Sequence, residues 1–194
     1  MTSRRAAQFF LICAILLAGL QPMSLRGARR SAAAQQQAPE RTEVYLTRAV
    51  RHQLVMLPYY TIFDWFTYRV SGYNVELMGY AVRPSLKSEA GNVVKGIEGV
   101  QKVTNNIKVL PPSPMDVRIR IAEYRAIYGY PGFEKYAIQA VGPIHIIVDS
   151  GHVILEGVVD SPSDKNIANI RAKSVSGVFS VTDNLVVASN AKKG

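Results

Sequence analysis

The chain has 194 residues, of which 48% are hydrophobic and 19% are charged, and this composition is typical of a folded globular protein rather than a disordered one. It contains one cysteine, Cys13, which excludes a disulfide framework and a metal site built from several cysteines. The formal net charge is +9, but residues 1–34 contribute five arginines and no acidic side chain to it. The remaining residues carry 18 basic and 14 acidic side chains, an excess too small to favour nucleic-acid binding.

The first 34 residues are predicted to be a secretory signal. Arg4 and Arg5 precede an apolar run from Phe9 to Leu20, and this run is shorter than the roughly 20 apolar residues that a membrane-spanning helix needs. Small residues suited to cleavage follow at 32–34, and retention of the segment as an N-terminal anchor is the alternative. We therefore predict an exported protein, periplasmic or membrane-associated, in which a polar spacer occupies residues 35–41.

The rest of the chain contains an internal duplication. With a shift of 78 residues, residues 73–110 align with 151–188 without a gap, and 14 of the 38 aligned positions are identical. The preceding segments align more loosely with a shift of 73, and about five extra residues in the second copy, near Gln139–Pro143, account for the difference. The predicted organisation is a first domain at 42–110, a proline-rich linker at 111–114, a second domain at 115–189 and a tail at 190–194.

Each copy opens on a predicted amphipathic helix. Apolar side chains recur at spacings of three and four, which is the period of one helical face. Pro58 and Pro131 are predicted to end these helices, because proline cannot continue the helical hydrogen bonds. The predicted buried stripes are Leu46, Ala49, Val50, Leu54 and Leu57 in the first copy and Val117, Ile121, Tyr124 and Ile127 in the second.

A two-stranded hairpin follows in each copy. The first strands are predicted at residues 66–70 and 144–148. Gly72 and Gly151 supply the turns, because glycine adopts backbone angles that other residues avoid. Apolar residues alternate in the second strands, and the central Gly79 and Gly157 predict a bulge or a close approach of two backbones.

The second helix of each copy is predicted to carry the chain across to a last strand. Ser85 and Ser163 are predicted to cap free backbone N–H groups at the helix starts, and Gly99 and Gly177 to end the helices. The predicted buried stripes of these helices are Ala90, Val94 and Ile97 in the first copy and Ala168, Ala172 and Val175 in the second.

The closing strand completes a small α+β unit in each copy. Asn106 and Asn184 are predicted to lie at the start of this strand, where an amide can bond to the local backbone. The order of elements is αββαβ, and both helices must cover their apolar stripes against the same sheet. We predict two tandem domains, each a three-stranded mixed sheet with two helices on one face.

This order of elements resembles the BON domain, named from bacterial osmotic-shock and nodulation proteins. The resemblance rests on Val75, Leu77, Gly79, Gly99, Val100, Val103 and Asn106 in the first copy and on Val153, Leu155, Gly157, Gly177, Val178, Val181 and Asn184 in the second. It implies an extracytoplasmic bacterial protein of the tandem, osmotically inducible periplasmic type. The resemblance also implies binding to phospholipid or membrane surfaces and a role in envelope protection under stress.

The sequence shows no pattern that indicates catalysis. His52, His145 and His152 lack the spacing of metal ligands, and no carboxylate pair recurs at equivalent positions of the two copies. Phosphate-cradling glycine loops are absent as well. We predict a non-enzymatic protein with no catalytic residue, no cofactor and no metal site.

Aromatic and basic side chains are the candidates for contact with lipid. Tyrosine and tryptophan place an apolar ring beside a polar tip, which suits the depth of lipid headgroups, although packing in the core is the alternative for these rings. Lys87, Lys95, Lys102 and Lys108 are predicted to form one cationic face, with an ordinary solvated surface as the alternative. The candidate lipid-binding residues are Tyr124, Arg125, Tyr128, Tyr130, Phe133, Lys135, Lys87 and Lys95.

The functional hypothesis is reversible attachment to a phospholipid surface through the two small domains. The alternative is a protein–protein module that docks an envelope partner or self-associates as a homo-oligomer. An exposed apolar patch without neighbouring lysine or arginine would favour that alternative. Binding of nucleic acid is not expected.

Overall fold

The structure is a computed structural model that describes residues 42–188. The predicted signal segment, the spacer and the predicted tail lie outside the described residues. Two modules of the same design, module 1 (42–110) and module 2 (113–188), belong to one compact unit. Module 1 contains α1 (42–55), β1 (Trp65–Ser71), β2 (Asn74–Ala81), α2 (Pro84–Lys95), β3 (Lys102–Asn105) and β4 (Lys108–Val109). Module 2 contains α3 (Pro114–Tyr128), α4 (Glu134–Ala137), β5 (Ile144–Asp149), β6 (His152–Val159), α5 (Pro162–Lys173), β7 (Ser180–Asp183) and β8 (Val186–Val187).

Each module is built on a mixed sheet, as predicted. Strands β1 and β2 form an antiparallel hairpin, and β3 and β4 both pair with β2 in parallel; β5 to β8 repeat this arrangement. The predicted closing strand is therefore interrupted in each module. Its two short parts pair with the same strand, which is β2 in module 1 and β6 in module 2. Asn106 and Asn184 lie between the pieces and not at the strand start, because their backbone N–H groups bond to the Leu77 and Leu155 carbonyls at 2.8 and 2.9 Å.

The glycine at the centre of the hairpin's second strand marks a close backbone approach, as predicted. Gly79 and Gly157 have φ angles of 117° and 118°. A Cβ atom at these positions would overlap the backbone carbonyl oxygens of Trp65 and Pro143, respectively. Each glycine therefore lets the hairpin close at the start of its first strand.

An acidic side chain from the first helix holds the hairpin turn of each module. The Glu43 carboxylate accepts a hydrogen bond from the Gly72 N–H, and the Asp116 carboxylate accepts from the N–H groups of Ser150 and Gly151 at 3.0 and 2.9 Å. Positive φ angles at the turns orient these N–H groups toward the helix. The same electrostatic clamp thus recurs in both copies.

The caps of the second helices differ from the prediction. Ser85 and Ser163 lie inside the first turns, and α5 is capped by Ser161, which accepts from the Asp164 N–H at 3.1 Å. The start of α2 lacks a side-chain cap, because Arg83 stands at that position. Helix α2 begins directly on a proline, as α5 does, and this ring presets the first helical turn.

The predicted terminating glycines also lie beyond the helix ends. Helix α2 is followed by Gly96 and α5 by Ser174, both with right-handed backbone angles. Gly99 and Gly177 come three residues later, with φ angles of 91° and 89°, and they turn the chain into the last strand. They are turn residues of the connection and not helix caps.

Two separate hydrophobic cores fill the space between the helices and the sheets. The predicted stripes of α1 and α2 are in the first core, and the Ala168 and Ala172 positions of α5 are in the second. The core of module 1 consists of Leu46, Val50, Leu54, Leu57, Val75, Leu77, Ala81, Leu86, Ala90, Val94, Ile97 and Ile107. The core of module 2 includes Ile119, Ile127, Tyr128, Phe133, Tyr136, Ile144, Ile146, Val148, Val153, Leu155 and Val159.

The modules meet where the chain before β1 runs along the outer edge of β5. The Ile62 carbonyl accepts from the Ile146 N–H at 2.8 Å, and the Asp64 carbonyl lies 2.6 Å from the His145 Nδ1 atom. Lys108 and Asp149 form an ion pair across the same junction, and the Lys108 ammonium lowers the pKa of the Asp149 carboxyl through its hydrogen bond.

Apolar burial accompanies these polar contacts at the junction. Ile147 lies on the face of β5 that carries His145 and Asp149 and that points away from the core of module 2. Ile147 is 0% exposed and Leu110, at the end of module 1, is 2% exposed, although neither belongs to a module core. Ile147 lies between His145 and Asp149, which both bond to module 1, so its burial is assigned to the junction.

Candidate functional site

Helix α3 presents an apolar stripe to solvent. Val117, Ile121 and Tyr124 are spaced by four and three residues, so they lie on one helical face, and they are 47%, 42% and 45% exposed. The prediction that these three residues are buried is therefore wrong. Arg118 and Arg125 are exposed and lie along one border of the stripe, two helical turns apart. We call these five residues the α3 surface.

The buried face of α3 carries charged residues as well as the apolar Ile119 and Ile127. Asp116, Arg120 and Glu123 are between 0% and 5% exposed. An Arg120 Nη2 group donates to the Val148 carbonyl at 2.7 Å. Burial lowers the pKa of Arg120, while the charges of Asp116, Asp64 and Asp149 oppose that shift. These three carboxylates favour the charged form of the guanidinium.

Glu123 is a carboxyl group without a polar partner. Both of its oxygens are buried, and neither makes a hydrogen bond with the described residues. Burial raises its pKa to about 8, so the group is protonated at neutral pH. In the alignment with a shift of 73 residues, its counterpart in module 1 is the core residue Val50.

The predicted aromatic residues divide between the surface and the core. Tyr124 is exposed, and its ring lies 5.2 Å from that of Tyr128. Tyr128 and Phe133 are buried in module 2, where the Tyr128 hydroxyl donates to the Ile144 carbonyl at 2.7 Å. Burial raises the pKa of the Tyr128 phenol, which stays neutral. Tyr130 packs against the same core. Only Tyr124 of these four lies on the α3 surface.

The predicted basic residues do not come together. Arg125 is exposed on α3, whereas Lys135 forms ion pairs with Asp160 and Asp164 at 2.9 and 2.8 Å, and these hydrogen bonds raise its pKa. Lys87 and Lys95 lie on α2, on the side of the module 1 sheet that the helices cover.

One cationic face made of Lys87, Lys95, Lys102 and Lys108 was therefore a wrong prediction. Lys102 and Lys108 face Asn74 and Tyr80 in register, so they point away from α2 to the open side of the sheet. Lys108 is in addition neutralised by Asp149. The four lysines thus occupy two opposite sides of module 1.

Two clefts border the α3 surface. A cleft of about 290 Å³ lies between α3 and Arg83, and a second, of about 390 Å³, extends from Ile121 and Tyr124 toward residues 136–142. Both are walled by Thr61 and Phe63 of the segment before β1. The apolar stripe of α3 therefore continues into recesses between the modules.

Two other kinds of feature, a metal site and a membrane-spanning helix, are absent from residues 42–188. These residues contain no group of three or more histidine, cysteine, aspartate or glutamate side chains that could hold a metal ion. None of the helices described between these limits has the length and apolar character needed to cross a bilayer.

Comparison with protein families identifies the class to which this fold and site belong. The model of the BON domain matches residues 45–111 and 134–189, more than half of the chain. The chain belongs to the BON domain family, with two domains in tandem. BON domains are associated with membrane and phospholipid binding, are typically non-catalytic and usually occur in periplasmic proteins; no family of enzymes was detected.

Comparisons with individual proteins give only weak similarities to solved structures. No curated protein matches the chain. Two solved structures of CdsD, a structural protein of the type III secretion system of Chlamydia trachomatis, are similar at 13% sequence identity. One covers 76% of this chain and 95% of its own with a TM-score of 0.30, and the other, of the C-terminal domain, covers 72% and 96% with a TM-score of 0.26.

Proposed function

We propose that this protein is an exported, non-enzymatic envelope protein that attaches reversibly to anionic phospholipid surfaces through the α3 surface. The observation that carries the proposal is the exposed stripe of Val117, Ile121 and Tyr124 with Arg118 and Arg125 along its border. An apolar stripe beside arginines is the arrangement of a helix that lies in the plane of a membrane interface. Membership of the BON family supports this proposal.

The size of the α3 surface fits weak and reversible attachment. Burying the exposed parts of three apolar side chains contributes about 1 kcal/mol each. Each arginine near an anionic surface contributes about 1 kcal/mol. The total of about 5 kcal/mol corresponds to a dissociation constant on the order of 0.1–1 mM, and a retained N-terminal anchor would raise the effective concentration at the membrane.

Vesicle flotation of the Ile121→Asp variant tests the proposal. A carboxylate in the middle of the stripe adds a charge that the lipid repels, so we expect the variant to lose flotation with vesicles that contain phosphatidylglycerol. Ile170→Asp is the matched control, because Ile170 is an isoleucine of module 2 that is exposed on α5, and it should float like the wild type. Equal flotation of both variants, or none by the wild-type protein on these vesicles, would reject the α3 surface.

A second candidate function is docking of a protein partner at a patch around Phe179, beside the first turn of α3. Phe179 is 77% exposed and contacts Gly151 and His152, and the Met115 side chain packs on nearby Gly177. These described contacts include no lysine or arginine, so the patch favours a protein surface over an anionic lipid. Sedimentation of the wild-type protein at increasing concentration tests self-association, and a concentration-dependent dimer would support this second function.

A further inference from the structure

A third cleft lies on the side of module 1, and its walls come from both modules. It has a volume of about 750 Å³, within the range of sites for small molecules. Helix α1 and strand β1 form one wall, and residues 139–143 form the other. The lining residues used below are Arg51, Tyr60, Trp65, Phe66, Tyr68 and His145.

The cleft exists because the second copy is longer than the first. The chain from α3 to β5 spans residues 129–143, whereas the equivalent connection from α1 to β1 spans only 56–64. The extra residues lie across α1 and β1 and close the cleft. The segment 139–143, which the sequence comparison identified only as an insertion, is therefore the wall that makes this site.

The interior of the cleft is aromatic and uncharged. The rings of Trp65 and Tyr60 lie 4.8 and 5.6 Å from the ring of His145. Burial lowers the pKa of His145 to about 4 and raises that of the Tyr60 phenol, so both side chains are neutral at physiological pH. Such a wall favours apolar chains and rings over polar ligands.

Arg51 supplies the only formal charge among the lining residues. It is exposed at the rim, and the structure shows no hydrogen bond or ion pair for it among residues 42–188. Its charge partly offsets the effect of burial, which raises the pKa of Tyr68. An arginine without a carboxylate partner at the mouth of an apolar cleft is suited to a carboxylate or phosphate group.

The cleft is elongated beyond this wall. It shares Tyr60, Gln139, Ala140 and Gly142 with the cleft of about 390 Å³ beside α3, whose lining includes no charged side chain. The two recesses lie on either side of the same strip of chain. We call the larger cleft and the recess next to it the apolar track; Arg51, at the mouth of the larger cleft, is the only charged residue in its lining.

We propose that this track binds one single-chain anionic amphiphile, with its tail along Trp65, Phe66 and Tyr60 and its head group at Arg51. The chemistry is shared by fatty acids and by lysophospholipids. This site takes a single molecule. Its far end borders Ile121 and Tyr124 of the α3 surface, but the proposal uses neither Arg118 nor Arg125, so it does not rest on the proposed function.

Trp65 provides a direct readout, because it is the only tryptophan of the chain. Addition of dodecanoate to the full chain, below the concentration at which it forms micelles, is expected to shift the Trp65 emission to the blue in a saturable way, with one molecule bound per chain. Dodecyltrimethylammonium has a tail of the same length and the opposite charge, and it should bind at least tenfold more weakly. Lysophosphatidic acid in place of dodecanoate distinguishes the two natural sources of the head group.

Two substitutions locate the head and the tail. Arg51→Gln should weaken dodecanoate binding about tenfold, since it removes one charged hydrogen bond. Arg48→Gln, on the same helix but outside the cleft, should leave binding unchanged. Ala140→Phe should block the track and abolish the shift, while far-ultraviolet circular dichroism shows that the variant is folded.

The inference is overturned by an absence of saturable change, by equal binding of the cationic amphiphile, or by equal affinities of the two arginine variants. Vesicle flotation distinguishes this failure from failure of the proposed function. Arg51→Gln should float normally on anionic vesicles, whereas a variant with both Arg118→Gln and Arg125→Gln should lose flotation and still show the Trp65 shift.

Discussion

Glu123 shows how far one residue of a duplicated unit can depart from its counterpart. In module 1 the equivalent position is the buried Val50, which packs in the core. In module 2 a carboxyl occupies the position without any described hydrogen-bond partner. An unpaired buried carboxyl must stay protonated or disrupt its surroundings, so this residue makes the stability of module 2 depend on pH.

The stability of the protein should decrease between pH 6.5 and 8. The pKa of Glu123 is raised from 4.5 to about 8, so the folded protein holds a proton that the unfolded chain releases, and unfolding becomes easier as pH rises through this interval. The expected slope is at most about 1.4 kcal/mol per pH unit. His145 has a pKa lowered from 6.5 to about 4, so its contribution to the free energy of unfolding rises with pH. The effects of Glu123 and His145 therefore oppose each other below pH 6.5.

Urea unfolding of Glu123→Leu and Glu123→Gln at pH 6.5, 7 and 8 checks this prediction. Both variants lack the ionisable group, so both should give a flat free energy of unfolding over this range. Leu should in addition stabilise the protein by about 1–3 kcal/mol at pH 7, because it removes the buried polar group as well. If the free energy of unfolding of the variants changed with pH as steeply as that of the wild type, Glu123 would not be the group responsible.

At the scale of elements, α3 buries three charged residues beside the core residues Ile119 and Ile127 and exposes an apolar stripe. The charged residues Asp116, Arg120 and Glu123 face inward, and the apolar stripe faces outward. Asp116 fixes the hairpin turn and Arg120 bonds to β5, and these contacts determine the rotation of the helix about its axis. The exposure of the stripe is thus a consequence of buried polar contacts.

Removing the two border arginines tests the electrostatic part of the α3 surface. Arg118→Gln with Arg125→Gln should weaken binding to anionic vesicles about thirtyfold, because each charge contributes about 1 kcal/mol, and should leave binding to neutral vesicles unchanged. The wild-type affinity should likewise decrease as salt is added. The measurement is vesicle sedimentation over a range of lipid concentrations.

A matched pair of substitutions in module 1 controls for net charge. Lys95→Gln with Lys102→Gln removes the same two charges from exposed positions on opposite sides of the first sheet. This pair should bind like the wild type. If it weakens binding as much as the arginine pair does, attraction depends on the overall charge, and the α3 surface has no special role.

Local chemistry was enough to predict most elements from the sequence. The hairpins, the close approach at Gly79 and Gly157 and the buried stripes of α1 and α2 follow from period and residue type. The rotation of α3 was predicted wrongly, because the apolar period of Val117, Ile121 and Tyr124 is as regular as a core stripe. The alignment of Ile119 and Ile127 with the core residues Leu46 and Leu54 already indicated which face of α3 is buried.

At the scale of the whole molecule, the candidate sites depend on how the modules associate. The clefts beside α3 and α1 are walled by residues far apart in sequence, such as Tyr60 and Gln139. Sequence periodicity concerns one element at a time, so it could not show that the segment before β1 lies against β5. The lipid-binding candidates in the core, Tyr128 and Phe133, were selected by residue type alone for the same reason.

Ile147 should couple the unfolding of the two modules. Its side chain is buried at the junction, and Ile147→Ala should cost about 2–4 kcal/mol through the cavity that it leaves. We expect calorimetry to show one transition for the wild type and two for this variant, because the loss falls on the contact between modules. Ile170→Ala, at an exposed position of α5, should leave a single transition; a single transition in the Ile147 variant as well would show that the junction is held by other contacts.

The hydrogen bond from the Ile146 N–H to the Ile62 carbonyl has a consequence for the order of the two copies. It covers the unpaired edge of β5 with a segment that lies some eighty residues earlier in the sequence. A chain that emerges and folds from its N-terminus therefore has this cover available when β5 appears, which shortens the time for which the unpaired edge of β5 is exposed to other chains. With the copies in the reverse order, β5 would be synthesised before the segment that covers its edge.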